Sequence, residues 1–504
     1  MSSLALAHAP ARRLPAWALG LLAYVAAWTV LPALLAPSMP FDVVEGIAWG
    51  HEWQWGYYKH PPLPAWLLYP AYVGLGKFGP YLVGQLSIVL ALVYVYRLAR
   101  ELLGPERAGL AAALLYGVAY YTWPTLSFNH NIAQIPVWAA LAWHAHAAMQ
   151  RKRTRDWVWL GVWAGLGLLT KYSSAVMLAC LAAYLVLGPQ RRLLRQRGPW
   201  LALGVAALMV APHLLWLWQH DGMPFTYLAE RSQRQHGPWA QRTGLRFLAA
   251  QALMHLPLAV LLLACGAAPR GRRLYLRDPT QARWLLTIAL APALLVVVMA
   301  FSSRALLRDM WGTPMWNFSP MLLLALAPPE VLARRRRALH IGLVLWMVGV
   351  TVGMAMQLGG RTPWRNGPTR TDWPAQALGH AALAQWQDMS SCPLQVVAGR
   401  YWPAGLVAEQ SRPMASVLIA GDARHSPWIS AERLREQGAL LVWRSEDAHA
   451  RDRTGPPPVP LLESMPAEAF RVSEGEWAVD WPRNTDGAPL RMHWRAYVPA
   501  ACAR

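Results

Sequence analysis

Apolar residues come in long blocks through the first 357 residues and in short ones after that. Ala16 to Leu35, Tyr81 to Tyr96, Leu201 to Trp218, Trp284 to Phe301 and Ile341 to Met356 each approach the ~20 apolar residues that cross a bilayer as a helix. Several are interrupted by Gly or Pro, which packed membrane helices tolerate. Between the blocks lie basic clusters: Arg97/Arg100/Arg107, Arg151/Lys152/Arg153/Arg155, Arg191/Arg192/Arg195/Arg197, Arg270/Arg272/Arg273/Arg277 and Arg334 to Arg337. They recur at every second turn of the chain, the positive-inside pattern. Fixing each cluster in the cytoplasm predicts about eleven transmembrane helices, near 16 to 36, 80 to 97, 107 to 123, 131 to 149, 156 to 170, 172 to 188, 199 to 218, 245 to 266, 283 to 301, 314 to 329 and 338 to 357. The N-terminus is then inside and the tail outside. Arg12 and Arg13 precede the first block as in a signal peptide, but its length and the spans that follow make it an uncleaved helix.

The pattern changes at 359. Gly359, Gly360, Pro363, Gly367 and Pro368 form a linker, charge density rises, and Leu394 to Ala398, Ser416 to Ala420 and Ala439 to Trp443 read as short buried strands between helix-like segments. Arg451 to Pro460 is a Pro-rich loop and Arg491 to Val498 a last strand. The expected division is a polytopic membrane domain over 1–357 and a soluble α/β domain over 358–504. No repeat with a period of 20 to 50 residues is evident.

Composition sharpens this picture. With 55% hydrophobic residues, 14% charged residues and 29 tryptophans, lipid is the main solvent of the chain. A net charge of +21 suggests nucleic acid only if the basic residues form one face. They do not: the tail has 16 Arg and no Lys against 15 acids, so about +20 of the total lies in the membrane portion, spread among its separate clusters. No nucleic-acid partner is expected, and the surrounding lipids are the bulk contact. Of four cysteines, Cys180 and Cys265 fall in apolar spans, while Cys392 and Cys502 lie in the tail, where a disulfide is possible but not dictated by spacing.

With this topology the unusual polar residues collect on the outer face. Asp42, Glu45, His51, Glu52, Lys59 and His60 occupy the first external loop, Asn129 and His130 the second, Lys171 the third, His220, Asp221, Glu230, Arg231 and Arg234 the fourth, and Arg304, Arg308 and Asp309 the fifth. Asp42 and Glu45 share one face if their segment is helical, at the depth where the first span ends. An acid there is a candidate general base; the alternative is a helix cap or a solvated interfacial acid. Lys59 and His60 precede Pro61-Pro62, a stiff turn suited to presenting a cation to a phosphate. Lys171 stands alone at the outer end of an apolar helix and either binds phosphate or snorkels to the headgroups. Tyr58, Asn129, His130, Gln134, Tyr172 and Asp221 complete a candidate substrate-binding set on this face. His144 and His146 sit near a cytoplasmic helix end and His213 within a span, where packing roles are expected. There is no phosphate loop, GxGxxG fingerprint, HExxH or CxxC pair.

Several ordered features resemble one family. WGYYKHPPL, Trp55 to Leu63, resembles an aromatic, acid, cation, Pro-Pro-Leu turn; GLGLLTKYSS, Gly165 to Ser174, resembles a Gly-Leu-x-x-Leu-(Ser/Thr)-Lys-Tyr stretch; APHLLWLWQHDGMPFTY, Ala211 to Tyr227, resembles a fourth external segment. Together with Asp42 they are similar to the bacterial branch of the protein O-mannosyltransferase superfamily (glycosyltransferase family 39), multispanning glycosyltransferases of the GT-C fold related to the lipid A aminoarabinose transferase. The resemblance covers roughly residues 15 to 330. It implies a membrane all-α GT-C domain followed by a periplasmic α/β domain, in the bacterial inner membrane. It implies a polyprenyl-phosphate sugar donor, an acceptor that is a glycolipid, a polysaccharide or a protein, Asp42 as the base of an inverting transfer, and a cation near the donor phosphate at His60. The family's acid before that cation is Lys59 here, and its Pro-Asp at the start of the fourth helix is Ala133-Gln134. Both changes remove negative charge from a borrowed metal site, so no cofactor is assigned and a divalent cation stays an alternative. Two rival functions are a polyprenyl-lipid or glycolipid transporter, which calls for midplane polar residues and related halves, and a non-enzymatic binding protein of envelope assembly.

Overall fold

A computed structural model describes residues 15–233, 240–269, 271, 273–303, 307–360, 368–444, 458–483 and 488–504. Arg12, Arg13, Arg234, Arg270, Arg272, Arg304, Pro363, Gly367 and most of the Pro-rich loop lie outside them. The membrane portion is helical: α1 Ala16–Leu35, α2 Phe41–His51, α3 Leu63–Leu75, α4 Phe78–Leu102, α5 Pro105–Ala113, α6 His130–Arg151, α7 Thr154–Thr170, α8 Ser174–Leu187, α9 Arg197–Gln219, α10 Met223–Gln233, α11 Ala240–Ala264, α12 Ala282–Ser303, α13 Ser319–Ala325 and α14 Pro329–Leu358.

Six described helices are long and apolar enough to cross a bilayer: Trp17–Leu35, Phe78–Leu102, Arg197–Gln219, Gly244–Ala264, Pro279–Met299 and Pro329–Leu358. The protein is a multi-pass membrane protein. The count of about eleven is not reached by these criteria, for local reasons. The expected 107–123 helix stops at Ala113 and continues as 3-10 turns, Leu114–Gly117, Ala119–Tyr121 and Trp123–Leu126, the last opening on Pro124. The expected 314–329 helix is a 3-10 segment, Asp309–Trp316, followed by the short α13, with Pro314 and Pro320 each removing a backbone donor. α8 passes the test only together with Pro189–Arg195, from which it is bent by 95°.

α2 and α3, with the turn between them, form a structured loop between the first two spans, the outer loop of the expected topology. They pack tightly: a side-chain carbon at Gly50 would lie 2.4 Å from the Ala65 carbonyl oxygen, so only glycine admits this approach.

After α14 the chain forms α15 Ala375–Met389, α16 Tyr401–Ala408, α17 Ala431–Gln437 and a five-stranded sheet, β1 Val396–Gly399, β2 Ser416–Ile419, β3 Ala439–Trp443, β4 Phe470–Val479 and β5 Leu490–Pro499. The order is β2-β1-β3-β5-β4, with β1 parallel to β2 and β3, and β5 antiparallel to β3 and β4. The three parallel strands are almost wholly buried apolar runs, which made them readable. β4 escaped because FRVSEGEWAV is largely polar, as befits an edge strand with one face exposed. Cys392 and Cys502 are joined by a disulfide that ties the end of α15 to the end of the chain.

The sheet domain is fixed to the membrane domain. One hydrophobic cluster contains Ala48, Trp49, Tyr57, Tyr58 and Ala65 of the outer loop together with Leu378, Trp386, Val397, Val407 and Trp494. α16 lies on α2 so closely that a side-chain carbon at Gly405 would be 2.6 Å from Val44 Cγ1. Arg483 donates to the carbonyls of Leu35 and Leu358, the last residues of α1 and α14, and its guanidinium is 3.6 Å from Asp372. A cation there satisfies orphan carbonyls at the negative ends of two helices.

Candidate active site

Pro40 sets the extended entry to α2, and Asp42 follows in its first turn, where a carboxylate suits the helix dipole. Asn129, the N-cap of α6, fixes this acid. Its Oδ1 accepts from the Asn131 and Ile132 amides at 2.8 and 3.4 Å, leaving Nδ2 to donate to Asp42 Oδ2 at 2.9 Å. Lys59, Arg370 and Lys171 also act on Asp42 and favour its charge, but burial outweighs them and raises its proton affinity above the usual carboxylate range.

One turn later Glu45 is buried and accepts from Lys59 Nζ at 2.6 Å and from the Tyr58 hydroxyl at 3.4 Å. The ammonium of Lys59 faces the rings of Tyr401 (4.4 Å), Tyr58 (4.9 Å), Trp49 (5.8 Å) and Tyr227 (5.8 Å). The charge expected to meet a phosphate is therefore matched by a carboxylate and walled by aromatics, one of them from the sheet domain.

The turn that carries these groups is tight. Tyr57 and His60 exchange reciprocal backbone hydrogen bonds of 3.0 and 3.2 Å. The His60 ring packs 4.0 Å from that of His130, whose Nε2 lies 3.4 Å from the Pro61 carbonyl oxygen. Lys171, in extended backbone between α7 and α8, donates to Asn131 Oδ1 at 2.6 Å and sits 5.6 Å from the Trp311 ring. Burial pushes its ammonium down to about 7, against the opposing pull of Asp42.

The structure thus gathers Asp42, Glu45, Tyr58, Lys59, His60, Asn129, His130 and Lys171. Three sequence candidates stand apart from this group. Gln134 Oε1 accepts from Trp138 Nε1, Ser173 Oγ and Ser174 Oγ at 3.1, 3.0 and 3.3 Å, binding α6 to the start of α8. Asp221 is exposed at the turn after α9, at φ +51°. His213 Nδ1 donates to the Trp55 carbonyl oxygen at 2.6 Å, which leaves Nε2 to accept from the Tyr172 hydroxyl at 3.0 Å, so this pair braces the outer loop. Among the described residues no three His, Cys, Asp or Glu side chains converge to hold a metal ion.

Sequence reasoning missed Asn131, Tyr227, Trp311, Arg370 and Tyr401. Arg370 stacks on Phe41 at 4.3 Å, and Phe41 packs 4.3 Å from Tyr401, so both tail residues reach α2. Asn131, two residues from Asn129, and Tyr227, at the end of the Ala211 to Tyr227 stretch, had a local signal.

Residues 59–216 match the family described as dolichyl-phosphate-mannose-protein mannosyltransferase. The lipid A galacturonosyltransferase RgtD of Rhizobium johnstonii is 28% identical over 211 residues, 40% of this chain and 43% of that protein. The undecaprenyl phosphate-alpha-4-amino-4-deoxy-L-arabinose arabinosyl transferase of Pseudomonas aeruginosa is 32% identical over 165 residues, 31% of this chain and 29% of that one. The matched stretches thus span less than half of these curated relatives. ArnT from Cupriavidus metallidurans in the apo state superposes over 95% of this chain and 97% of that chain, with a TM-score of 0.62 at 15% identity. The chain has the GT-C fold. Within it, the family match begins at Lys59 and ends at Trp216. It therefore contains the KHPP turn, both asparagines and Lys171, whereas Asp42, Arg370 and Tyr401 lie beyond its ends.

Proposed function

We propose that this protein is an inverting glycosyltransferase of the bacterial inner membrane. It moves a sugar from a polyprenyl-phosphate donor to an envelope acceptor on the periplasmic face, with Asp42 as general base. The observation that carries this reading is the pairing of one buried, amide-anchored carboxylate with cations at the outer end of the bundle. Asp42 has the raised proton affinity that a base needs to take a proton from an attacking hydroxyl or amine near neutral pH. Lys171 and Arg370, whose charges both act on it, supply positive potential for the donor phosphate. Direct attack opposite that phosphate inverts the anomeric centre. The disulfide in the sheet domain supports a periplasmic tail, because such bonds persist in oxidising compartments. The names of the relatives favour an undecaprenyl-phosphate-linked sugar and a lipid A-type acceptor, with a polysaccharide or protein acceptor less supported. They also speak against the transporter reading.

In this scheme Lys59 has a different part from the one its sequence position suggests: it holds Glu45 and Tyr401 and shapes the sugar side of the site. His60 and Lys171 remain the donor-phosphate groups. The test is a titration of undecaprenyl-phosphate-linked aminoarabinose or galacturonate against the purified protein in nanodiscs, with product read by mass spectrometry. His60→Ala is expected to lower the maximal rate and Lys171→Ala to raise the donor concentration needed, since a contact equally strong in ground and transition states affects binding alone. Transfer should rise with pH as Asp42 ionises and fall above about 7 as Lys171 loses its proton. Lys171→Arg should remove the alkaline fall and keep the acid limb. No consumption of any polyprenyl-phosphate sugar, or an alkaline limb unchanged in Lys171→Arg, would overturn the donor assignment.

Orientation has its own test. Reporters fused after Arg153, Arg195 and Arg335 should read cytoplasmic, and those after Gly222 and Gly360 periplasmic. A cytoplasmic signal after Gly360 would place the tail away from the donor and end the mechanism.

A further inference from the structure

A cavity of about 440 Å³ opens at the end of the bundle opposite Asp42. Arg97, Arg100 and Glu101 in the last turns of α4, Trp143 and Arg151 in the second half of α6, and Arg277 of the loop before α12 line it. α6 begins at His130 beside Asp42's anchor and reaches the cavity at Trp143 and Arg151, so roughly 20 to 32 Å of helix separates the cavity from the transfer site.

Four guanidiniums face this cavity against one carboxylate, and that carboxylate is already occupied. Glu101 accepts from Arg151 and lies 2.9 Å from His146 Nε2. Arg97, Arg100 and Arg277 have no carboxylate partner among the described residues. Nor is the cavity a chance gap between loose loops. The Arg277 amide donates to the Leu102 carbonyl at 2.9 Å, and Arg107 donates to the Leu103 carbonyl at 2.7 and 3.0 Å and to the Tyr275 carbonyl at 2.8 Å, fastening the loop onto the end of α4. Trp143 supplies an amphipathic ring of the kind that sits at headgroup depth, and Arg151 stacks on it at 5.1 Å. Unmatched guanidiniums in a rigid cleft at a membrane face call for an anion with several oxygens, and the abundant one at that depth is a lipid phosphate.

We infer that this cavity binds the phosphate headgroup of an anionic glycerophospholipid of the inner leaflet, a site separate from the one that handles the sugar donor. The bound headgroup ties together the inner ends of α4 and α6 and the loop before α12. α6 is also the helix that presents Asn129 to Asp42.

Native mass spectrometry of the full-length protein, titrated with phosphatidylglycerol, cardiolipin and phosphatidylcholine, tests this. The anionic lipids should be retained preferentially, and Arg100→Gln/Arg277→Gln should weaken that retention by roughly 10- to 30-fold, at about a factor of 5 per arginine near an anionic lipid surface. Arg336→Gln/Arg337→Gln, on the exposed start of α14 and outside the cavity, should leave it unchanged. Equal losses in the two double variants would reduce the effect to general surface charge and overturn the site. Equal occupancy by inorganic phosphate at the same concentration would make it a soluble-anion site and overturn the lipid assignment. If Arg100→Gln/Arg277→Gln misfolds, Arg277→Gln alone carries the test, since it changes a loop side chain; undiminished retention there would overturn the proposal.

Discussion

Asp42→Asn is expected to reach the membrane at wild-type abundance and to lose sugar transfer by ~100-fold or more, the scale of a lost general base. The two side chains have nearly the same shape, so no cavity forms and α2 keeps its contacts. Asn129 can still donate to the carbonyl oxygen of the new amide, because its own orientation is set by the Asn131 and Ile132 amides rather than by Asp42. What disappears is the ability to take a proton. The measurement is transfer per folded molecule, with abundance read by immunoblot and folding by size-exclusion profile. Near-normal turnover would pass the role to Glu45 or remove the enzymatic reading altogether.

Breaking the Glu45–Lys59 pair should act on folding instead. Lys59→Met leaves a buried carboxylate without its cation, an arrangement that costs about 3 to 5 kcal/mol when one partner of a buried pair is removed. Burial already raises the proton affinity of Glu45, and Lys59 is the main force against that rise. Without Lys59 the folded protein holds this proton more tightly than the unfolded chain does. The folded state is then favoured below the unfolded pKa and loses that advantage as pH rises. The apparent Tm of Lys59→Met should therefore fall further at pH 8 than at pH 5. Glu45→Gln/Lys59→Met, with neither charge, should recover most of the loss and flatten the pH dependence. If the double variant is as unstable as the single one, the pair is not what holds the outer loop. If it is stable and still transfers sugar, Glu45 is excluded as the base.

How much of this was legible in the sequence follows from how local each signal is. Membrane helices announce themselves by apolar length, and the buried parallel strands by unbroken hydrophobic runs. The KHPP turn, Asn129 and Lys171 lie within short motifs, so they could be found and assigned to one face from the topology alone. The partners of Lys59 could not: Tyr227 and Tyr401 stand far along the chain, and nothing in Glu45 itself says that it will meet an ammonium 14 residues later. Gln134 and Asp221 were chosen for facing the right side, but facing a site differs from being free to act in it. The hydroxyls of Ser173 and Ser174 and the indole of Trp138 occupy the first, and the second lies exposed at the turn after α9. The broken 107–123 and 314–329 segments show the limit of hydrophobic length as a guide, since it does not register where prolines and 3-10 turns redirect the backbone.

The hydrophobic cluster shared by the outer loop and the sheet domain bears on how this protein could be re-engineered or could have diversified. Trp49, Tyr57 and Tyr58 belong as much to the tail's interior as Trp386 or Val407 do, and Gly405 admits Val44 at a distance that no larger residue would allow. A chimera joined just after α14 would bring a foreign tail against a surface fitted to the original one. The 41–65 segment and the sheet domain therefore form one discontinuous packing unit. Recombination between relatives should succeed only when both pieces travel together.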